Sequence, residues 1–195
     1  MSPSTPDAPN PRKVLRERLI AARCALDVQR REQFTAAIAQ HLSALLARQA
    51  PTVVGFCWPY RGEVDLRAAV AAWLAGGPGR VAALPVVDEA GMHFSAWAPD
   101  TVMTAGRYDI PVPAEDRAVQ PDLLLVPVNA FDARGYRLGY GGGYFDRSLA
   151  RWLPRPVTVG VGFSLAAVED LLAEAHDIPM DWIVTENGVV VGPQA

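Results

Sequence analysis

The chain has 195 residues, of which 50% are hydrophobic and 20% charged, so it can bury one core and global disorder is excluded. A formal net charge of -3 argues against broad binding to nucleic acid, and no apolar run approaches the roughly 20 residues that span a bilayer. The two cysteines form neither a disulfide framework nor a CxxC zinc pair, which indicates a reducing cytoplasm. We expect residues 1–10 to be a flexible tail and residues 11–195 a single α/β domain.

Two helices are predicted first. Asn10 is a suitable N-cap, and Pro11 is a residue type favoured at the first helical position. Asp27 can cap a second helix, whose apolar residues recur at helical spacing until Pro51 ends the pattern.

The rest of the chain alternates between predicted strands and helices, which indicates an α/β layered fold with a mainly parallel sheet and helices on both faces. A long irregular connection is expected over residues 99–116. The predicted strands cover residues 52–58, 80–87, 92–97, 123–128, 157–163, 182–185 and 189–191, and the predicted helices cover 65–74, a short stretch from 144, and 165–175.

The most informative segment is residues 126–147, in which a buried strand leads into glycines at 139, 141, 142 and 143 and then into a helix. Glycines let successive backbone N–H groups converge on an anion, and a helix N-terminus adds partial positive charge. Arg137 and Arg147 flank this phosphate cradle as fork-shaped donors, and Asp146 could hold a magnesium ion that bridges phosphates.

Both standard nucleotide fingerprints fail here, because Tyr144 replaces the last glycine of GxGxxG and no lysine follows the glycines. The residues alone therefore also allow a tight strand-to-helix turn whose glycines serve only packing. Glu63 follows the first predicted strand, where α/β proteins place ligand residues, although helix capping explains it equally well.

Residues 131–147, FDARGYRLGYGGGYFDR, closely resemble the signature of the 5-formyltetrahydrofolate cyclo-ligase family, approximately FDxxGxRLGxGxGYYDR. The resemblance covers most of the chain. It includes the arginines of residues 12–16, the Glu63 block, LPVV at 84–87, GRYDIPVP at 106–113 and HDIPMDWIVTENGVV at 176–190. The family's fold is similar to those of sugar-phosphate isomerases and CoA transferases.

The resemblance implies ATP-dependent closure of 5-formyltetrahydrofolate to 5,10-methenyltetrahydrofolate, with release of ADP and phosphate and with the help of Mg²⁺. In that reaction the formyl oxygen is phosphorylated and N10 attacks the activated carbon. The implied partners are ATP and reduced folate, with no nucleic acid and no membrane, and we expect a monomer.

The resemblance also assigns roles to individual residues. The catalytic set is Arg137, Tyr144 and Asp146, and the metal ligands are Asp146 and Asp177. Trp58, Glu63 and Tyr108 are the substrate-binding residues. The ATP-binding set contains Arg12, Arg16, Arg137, Gly139, Tyr140, Gly141, Gly142, Gly143, Tyr144 and Asp146.

The cradle departs from the family pattern at two positions. Gly142 stands where many members have lysine, and Tyr140 stands where arginine is frequent, so the loop carries less positive charge. Two other functions stay open: a non-catalytic folate- or nucleotide-binding paralogue, and a different α/β enzyme acting on a phosphorylated small molecule.

Overall fold

The structure, a computed structural model, describes residues 10–191. This part of the chain begins with two helices. They are α1 (Pro11–Cys24) and α2 (Val28–Gln49). The predicted tail, residues 1–10, lies outside the described residues apart from Asn10. Every helix within residues 10–191 is too short or too polar to span a bilayer.

Both predicted N-caps are confirmed by hydrogen bonds. The Asn10 side chain accepts from the backbone N–H groups of Arg12 and Lys13, at 2.9 and 3.3 Å. Asp27 Oδ1 accepts from the backbone N–H of Arg30 at 2.8 Å. These bonds satisfy N–H groups that have no partner within the helix, which is why short polar residues start helices.

The remaining elements follow the predicted alternation of strands and helices. The helices are α3 (Arg67–Ala75) and α4 (Tyr144–Leu149). The strands are β1 (Val53–Gly55), β2 (Val81–Val87), β3 (Met92–Trp97), β4 (Met103–Ala105), β5 (Pro111–Pro113), β6 (Ala118–Val119), β7 (Leu123–Pro127), β8 (Ala130–Phe131), β9 (Arg137–Leu138), β10 (Val157–Val161), β11 (Trp182–Thr185) and β12 (Gly188–Val191).

Eight strands form one sheet in the order β12-β11-β10-β7-β1-β2-β3-β6. The five strands from β11 to β2 are parallel. At the two sides of the sheet, β12 pairs antiparallel with β11, β3 with β2, and β6 with β3. The predicted fold class, a mainly parallel α/β sheet, is therefore confirmed. Parallel neighbours place their carboxyl ends on one edge, where ligands bind in such folds.

The core lies on both faces of this sheet, as the apolar run of β7 indicated. Leu123 and Leu125 pack into the cluster beneath α2 and α3, whereas Leu124 and Val126 pack into the cluster that includes Leu149 of α4. Successive side chains of a strand point to opposite faces, so a strand that is buried on both faces has apolar residues at successive positions. The helices thus cover both faces, as predicted.

The predicted helix over residues 165–175 is wrong. Only a 3-10 turn at Ser164–Ala166 forms there, and Leu172 has a positive φ of 53° that a helix excludes. Tertiary contacts hold the segment instead, since the Val168 N–H donates to the Phe131 carbonyl at 2.9 Å and Leu171 is buried against α1. The helical spacing of its apolar residues therefore reflects docking onto neighbours rather than a helix face.

The connection over residues 99–116 was predicted to be irregular, and it carries some local structure. Strands β4 and β5 pair antiparallel within it. Between them lies a short turn in which Tyr108 and Asp109 have φ values of 60° and 58°. Residues other than glycine rarely adopt this backbone conformation. Tyr108 lies at the surface of the turn, with 62% of its area exposed.

Candidate active site

The glycine loop, residues 139–143, joins β9 to α4 and contacts Glu63, which follows the carboxyl end of β1. Gly141 and Gly143 have φ values of 94° and 63°, so the path of the loop requires glycine at these two positions. Helix α4 is only six residues long. The predicted turn and helix are both present. The N-terminus of such a short helix adds little positive charge, so the arginine side chains around the loop are its main cations.

Arg16 and Arg147 lie against opposite parts of this loop. Arg16 Nε donates to the Gly139 carbonyl at 2.7 Å, and its guanidinium lies 3.5 Å from the place where a Cβ on Gly141 would stand. Arg147 Nη1 lies 2.8 Å from the corresponding point on Gly143. Burial, followed by the charge of Arg12, lowers the pKa of Arg16. Guanidinium groups in these positions can pair with an anion at the loop.

Arg137 and Asp146 form a two-point ion pair beneath the loop. Arg137 Nη1 donates to Asp146 Oδ1 at 3.1 Å, and Nη2 donates to Oδ2 at 3.2 Å. The pair also holds the segment around Ile178, whose N–H donates to Asp146 and whose carbonyl accepts from Arg137. Two predicted catalytic residues are therefore brought together, one from β9 and one from α4.

A second ion pair ties the start of α1 to the same segment. Arg12 Nη1 and Nη2 donate to the two oxygens of Asp177, at 2.7 and 3.1 Å. Burial opposes ionisation of Asp177, but hydrogen bonds from Arg12 and from the Glu174 N–H outweigh it, so its pKa lies below the usual value. The hydrogen bond that Arg12 donates to Asp177 raises the pKa of Arg12.

A polar network, which we call the Glu63 network, lies beside the loop. It consists of the buried side chains of Arg23, Glu63 and Asn129 together with Tyr140, which is 42% exposed. The Tyr140 hydroxyl donates to Glu63 Oε1 at 2.9 Å and accepts from Arg23 Nη2 at 2.9 Å. Arg23 Nη1 donates to Asn129 Oδ1 at 2.8 Å. Burial raises the pKa of Glu63, and the Arg23 charge and two hydrogen bonds oppose that rise.

Cys57 lies beside this network, where it lines a cavity of about 10 Å³ together with Glu63. Burial and then the charge of Glu63 raise the pKa of the Cys57 thiol. The thiol therefore stays protonated at neutral pH and is a poor nucleophile.

Three aromatic residues were expected near the ligands, and the structure brings only two of them, Tyr108 and Tyr144, close to a common neighbour. The Arg107 guanidinium lies 5.3 Å from the Tyr108 ring centroid and 6.0 Å from that of Tyr144, so it connects these two residues. Trp58 packs beneath the guanidinium of Arg67, 4.5 Å from its ring centroid. One face of Trp58 is therefore already covered.

Reasoning from the sequence missed Arg23, Asn129 and Arg107 as members of the site. A signal for Arg23 was present, because positions 12, 16 and 23 fall on one face of a helix with 3.6 residues per turn. For Asn129 and Arg107 no local signal existed. Their neighbours in the site come from other elements.

The two predicted magnesium ligands, Asp146 and Asp177, each form an ion pair with an arginine. Residues 10–191 contain no group of three or more histidine, cysteine or acidic side chains that could hold a metal. Asp146 is paired through both oxygens with Arg137, and Asp177 is paired through both oxygens with Arg12. In each carboxylate one oxygen, Asp146 Oδ2 or Asp177 Oδ1, accepts a single hydrogen bond and so retains acceptor capacity. Magnesium commonly combines one or two carboxylates with substrate phosphates, which fits an ion that arrives with a nucleotide.

Known proteins share this fold and sequence along most of the chain. A model of the 5-formyltetrahydrofolate cyclo-ligase family matches residues 8–186. The 5-formyltetrahydrofolate cyclo-ligase of Haemophilus influenzae is 28% identical over 179 residues, which is 87% of this chain and 94% of that protein. The Escherichia coli K12 protein of the same name is 33% identical over 137 residues, covering 67% and 75% of the two chains.

A solved structure extends this similarity to three dimensions. The NMR structure of Aquifex aeolicus 5,10-methenyltetrahydrofolate synthetase matches with a TM-score of 0.82 and 30% identity, and the match covers 94% of each chain. These matches agree with the resemblance carried by residues 131–147.

Proposed function

This chain belongs to the 5-formyltetrahydrofolate cyclo-ligase family, and we propose that it uses ATP to convert 5-formyltetrahydrofolate to 5,10-methenyltetrahydrofolate, releasing ADP and phosphate. The observation that carries the proposal is the position of the glycine loop. Arg16 and Arg147 line this loop, and through Tyr140 it contacts the buried carboxylate of Glu63. We therefore propose that the loop holds phosphate and that Glu63, which contacts the loop through Tyr140, is the acceptor for a heterocycle.

The chemistry explains why both sites are needed. The formyl oxygen is a poor leaving group, so we propose that it first attacks the γ-phosphorus of ATP and that ADP leaves. N10 of the folate then forms a bond to the activated formyl carbon and loses its proton. The former formyl oxygen departs with phosphate, and the conjugated methenyl bridge remains. Phosphoryl transfer of this kind depends on positioning and charge neutralisation more than on acid–base side chains.

On the phosphate side, we propose that the backbone of Gly139, Gly141, Gly142 and Gly143 follows the triphosphate. Arg12, Arg16 and Arg137 supply cationic charge, and the Tyr144 ring borders the loop. Asp146 would hold the Mg²⁺ ion of the nucleotide, whose charge neutralises phosphate oxygens when bound. Asp177 fixes Arg12 and is the second carboxylate that we propose for the metal ion.

On the folate side, we propose that the ionised Glu63 accepts hydrogen bonds from pterin N–H groups, a suitable role for a carboxylate in a partly enclosed site. Tyr108 would stack on a flat part of the folate from its exposed turn, and Trp58 would border the pterin. We further propose a cytoplasmic monomer with no nucleic-acid or membrane partner.

The proposal is tested by following the near-ultraviolet absorbance of the methenyl bridge with purified protein, 5-formyltetrahydrofolate, ATP and MgCl₂. A rise that requires every component supports the ATP-dependent reaction. Folate binding by calorimetry without any product would instead support the non-catalytic paralogue.

A further inference from the structure

We propose that the Tyr140 hydroxyl is a positioning group that couples the nucleotide loop to the folate carboxylate Glu63, so that ATP and folate each strengthen the binding of the other. This inference rests on the proposed function, because it assigns the two ligands to the two sides of one loop. Tyr140 belongs to the glycine loop, and Glu63 follows β1, 77 residues earlier in the chain.

The hydroxyl is held on both sides by charged groups. It donates its single hydrogen to Glu63 Oε1 at 2.9 Å, while its oxygen accepts from Arg23 Nη2 at 2.9 Å. Arg23 Nη2 lies 4.0 Å from Glu63 Oε1, which is too far for a hydrogen bond. The hydroxyl therefore bridges two opposite charges that do not bond to each other directly. Hydrogen bonds to ionised groups are the stronger class in proteins.

Arg23 provides a fixed base for this bridge. Its Nη1 donates to Asn129 Oδ1 at 2.8 Å and its Nε donates to the Arg61 carbonyl at 3.1 Å. Arg23 is 5% exposed, Glu63 8% and Asn129 3%. Because these groups are withdrawn from water, losing one hydrogen bond leaves a buried polar atom unsatisfied rather than solvated.

The second oxygen of Glu63 is fixed independently, since it accepts from the Tyr60 backbone N–H at 3.0 Å. Removal of the Tyr140 hydroxyl would therefore release one carboxylate oxygen and leave the other in place. The Tyr60 and Tyr140 rings also pack edge to face, with centroids 5.6 Å apart. The ring contact and the hydroxyl contact can thus be separated by mutation.

This arrangement has a direct consequence for ligand binding. The loop cannot shift at Tyr140 without breaking the bond to Glu63, and folate held by Glu63 favours the loop position that keeps this bond. A nucleotide that orders the loop therefore favours the Glu63 orientation that binds folate. The coupling must be reciprocal, because both ligands favour the same state.

The experiment measures the Kd of 5-formyltetrahydrofolate by calorimetry with and without a non-hydrolysable ATP analogue and MgCl₂. Wild type is compared with Tyr140→Phe, which removes only the bridging hydroxyl. Tyr60→Phe is the matched control, since its ring lies in the same pair and within residues 10–191 its hydroxyl makes no hydrogen bond. The 3.4 Å contact of Tyr60 with the Tyr140 hydroxyl uses the Tyr60 backbone carbonyl, which this variant keeps. Thermal unfolding of all three proteins checks that they are folded.

We expect the analogue to lower the folate Kd of wild type and of Tyr60→Phe by a similar factor. In Tyr140→Phe the two folate Kd values should converge, and the folate KM should rise by about tenfold, the effect of losing a hydrogen bond to a charged group. The pKa of Glu63 should also rise, because Tyr140 no longer stabilises the carboxylate while Arg23 and Cys57 still face it. The pH below which folate affinity falls should therefore move upward.

The possible failures are distinguishable. If wild type forms no methenyl product with ATP, the proposed function fails. If wild type forms product but the analogue leaves its folate Kd unchanged, the coupling is refuted on the wild-type protein alone. The inference is also refuted if Tyr140→Phe matches Tyr60→Phe both in the ratio of the two Kd values and in its pH profile.

Discussion

Arg12 and Asp177 join the first helix to the loop before β11 through a pair of hydrogen bonds that spans 165 residues of sequence. In this pair Asp177 is 7% exposed and Arg12 14%, so the contact is partly shielded from solvent. The Asp146 pair anchors the same loop at Ile178. Arg12 and Asp146, two proposed nucleotide-binding residues, are therefore held by the segment at Asp177 and Ile178, which lies outside the helices and strands.

Arg12→Gln should loosen this attachment and raise the KM for ATP. We expect the free energy of unfolding to fall by about 1 kcal/mol at neutral pH, a modest value because the pair is partly exposed. Lys13→Gln is the control, since Lys13 is exposed and its side chain forms no ion pair among the described residues. Equal KM values for the two variants would contradict the role of Arg12.

The stability difference between wild type and Arg12→Gln should depend on pH. The folded pKa of Asp177 lies below its ordinary value of 3.8. The stabilisation is therefore fully present above that value and is lost as pH falls through the lower, folded pKa. Urea unfolding between neutral and acid pH measures this difference, and a gap that persists in strong acid would rule out the ion pair as its source.

Asp146→Asn keeps the size of the side chain but removes its charge, which leaves the buried guanidinium of Arg137 without its partner. We expect kcat/KM for ATP to fall by about a hundredfold, because phosphate positioning and charge neutralisation are both disturbed. The loss should change with MgCl₂ concentration if Asp146 holds the nucleotide's metal ion. Steady-state kinetics at several MgCl₂ concentrations, with Asp116→Asn as an exposed control, test this expectation.

Gly141→Val should specifically weaken ATP binding. The position has a φ of 94°, and a Cβ there would lie 3.5 Å from the Arg16 guanidinium, so a branched side chain would displace this cation. We expect the KM for ATP to rise by about tenfold. Gly79→Ala is a control for backbone strain alone, because its φ is 75° and a Cβ there meets nothing within 4 Å. A similar KM for the two variants would refute the cradle.

The KM for 5-formyltetrahydrofolate should rise as the pH falls into the mildly acid range. Burial raises the folded pKa of Glu63 above its ordinary value of 4.5, so the carboxylate is protonated at a higher pH than an exposed glutamate. A protonated carboxyl accepts hydrogen bonds less well and binds pterin N–H groups weakly. Glu63→Gln should have a raised KM that varies little with pH, and a wild-type KM that is constant down to pH 4.5 would contradict this role.

Local sequence signals were sufficient for the elements that depend on local chemistry. The caps Asn10 and Asp27 were predicted from residue type because their bonds reach only two or three residues along the chain. The buried character of β7 followed from an uninterrupted apolar run. Residues 165–175 show the limit of such signals, since an apolar spacing typical of a helix was overridden by contacts with β8 and α1.

The sequence by itself determined the fold class, the glycine loop, the two N-caps and a resemblance specific enough to indicate the family. Only the tertiary structure decided that Tyr140 joins Glu63 and Arg23, and that Asp177 pairs with Arg12. These partners lie 77, 117 and 165 residues apart along the chain. Hydrogen bonds act only over about 3 Å, so which distant polar groups meet is decided by the packing of α1 and the loops around the sheet.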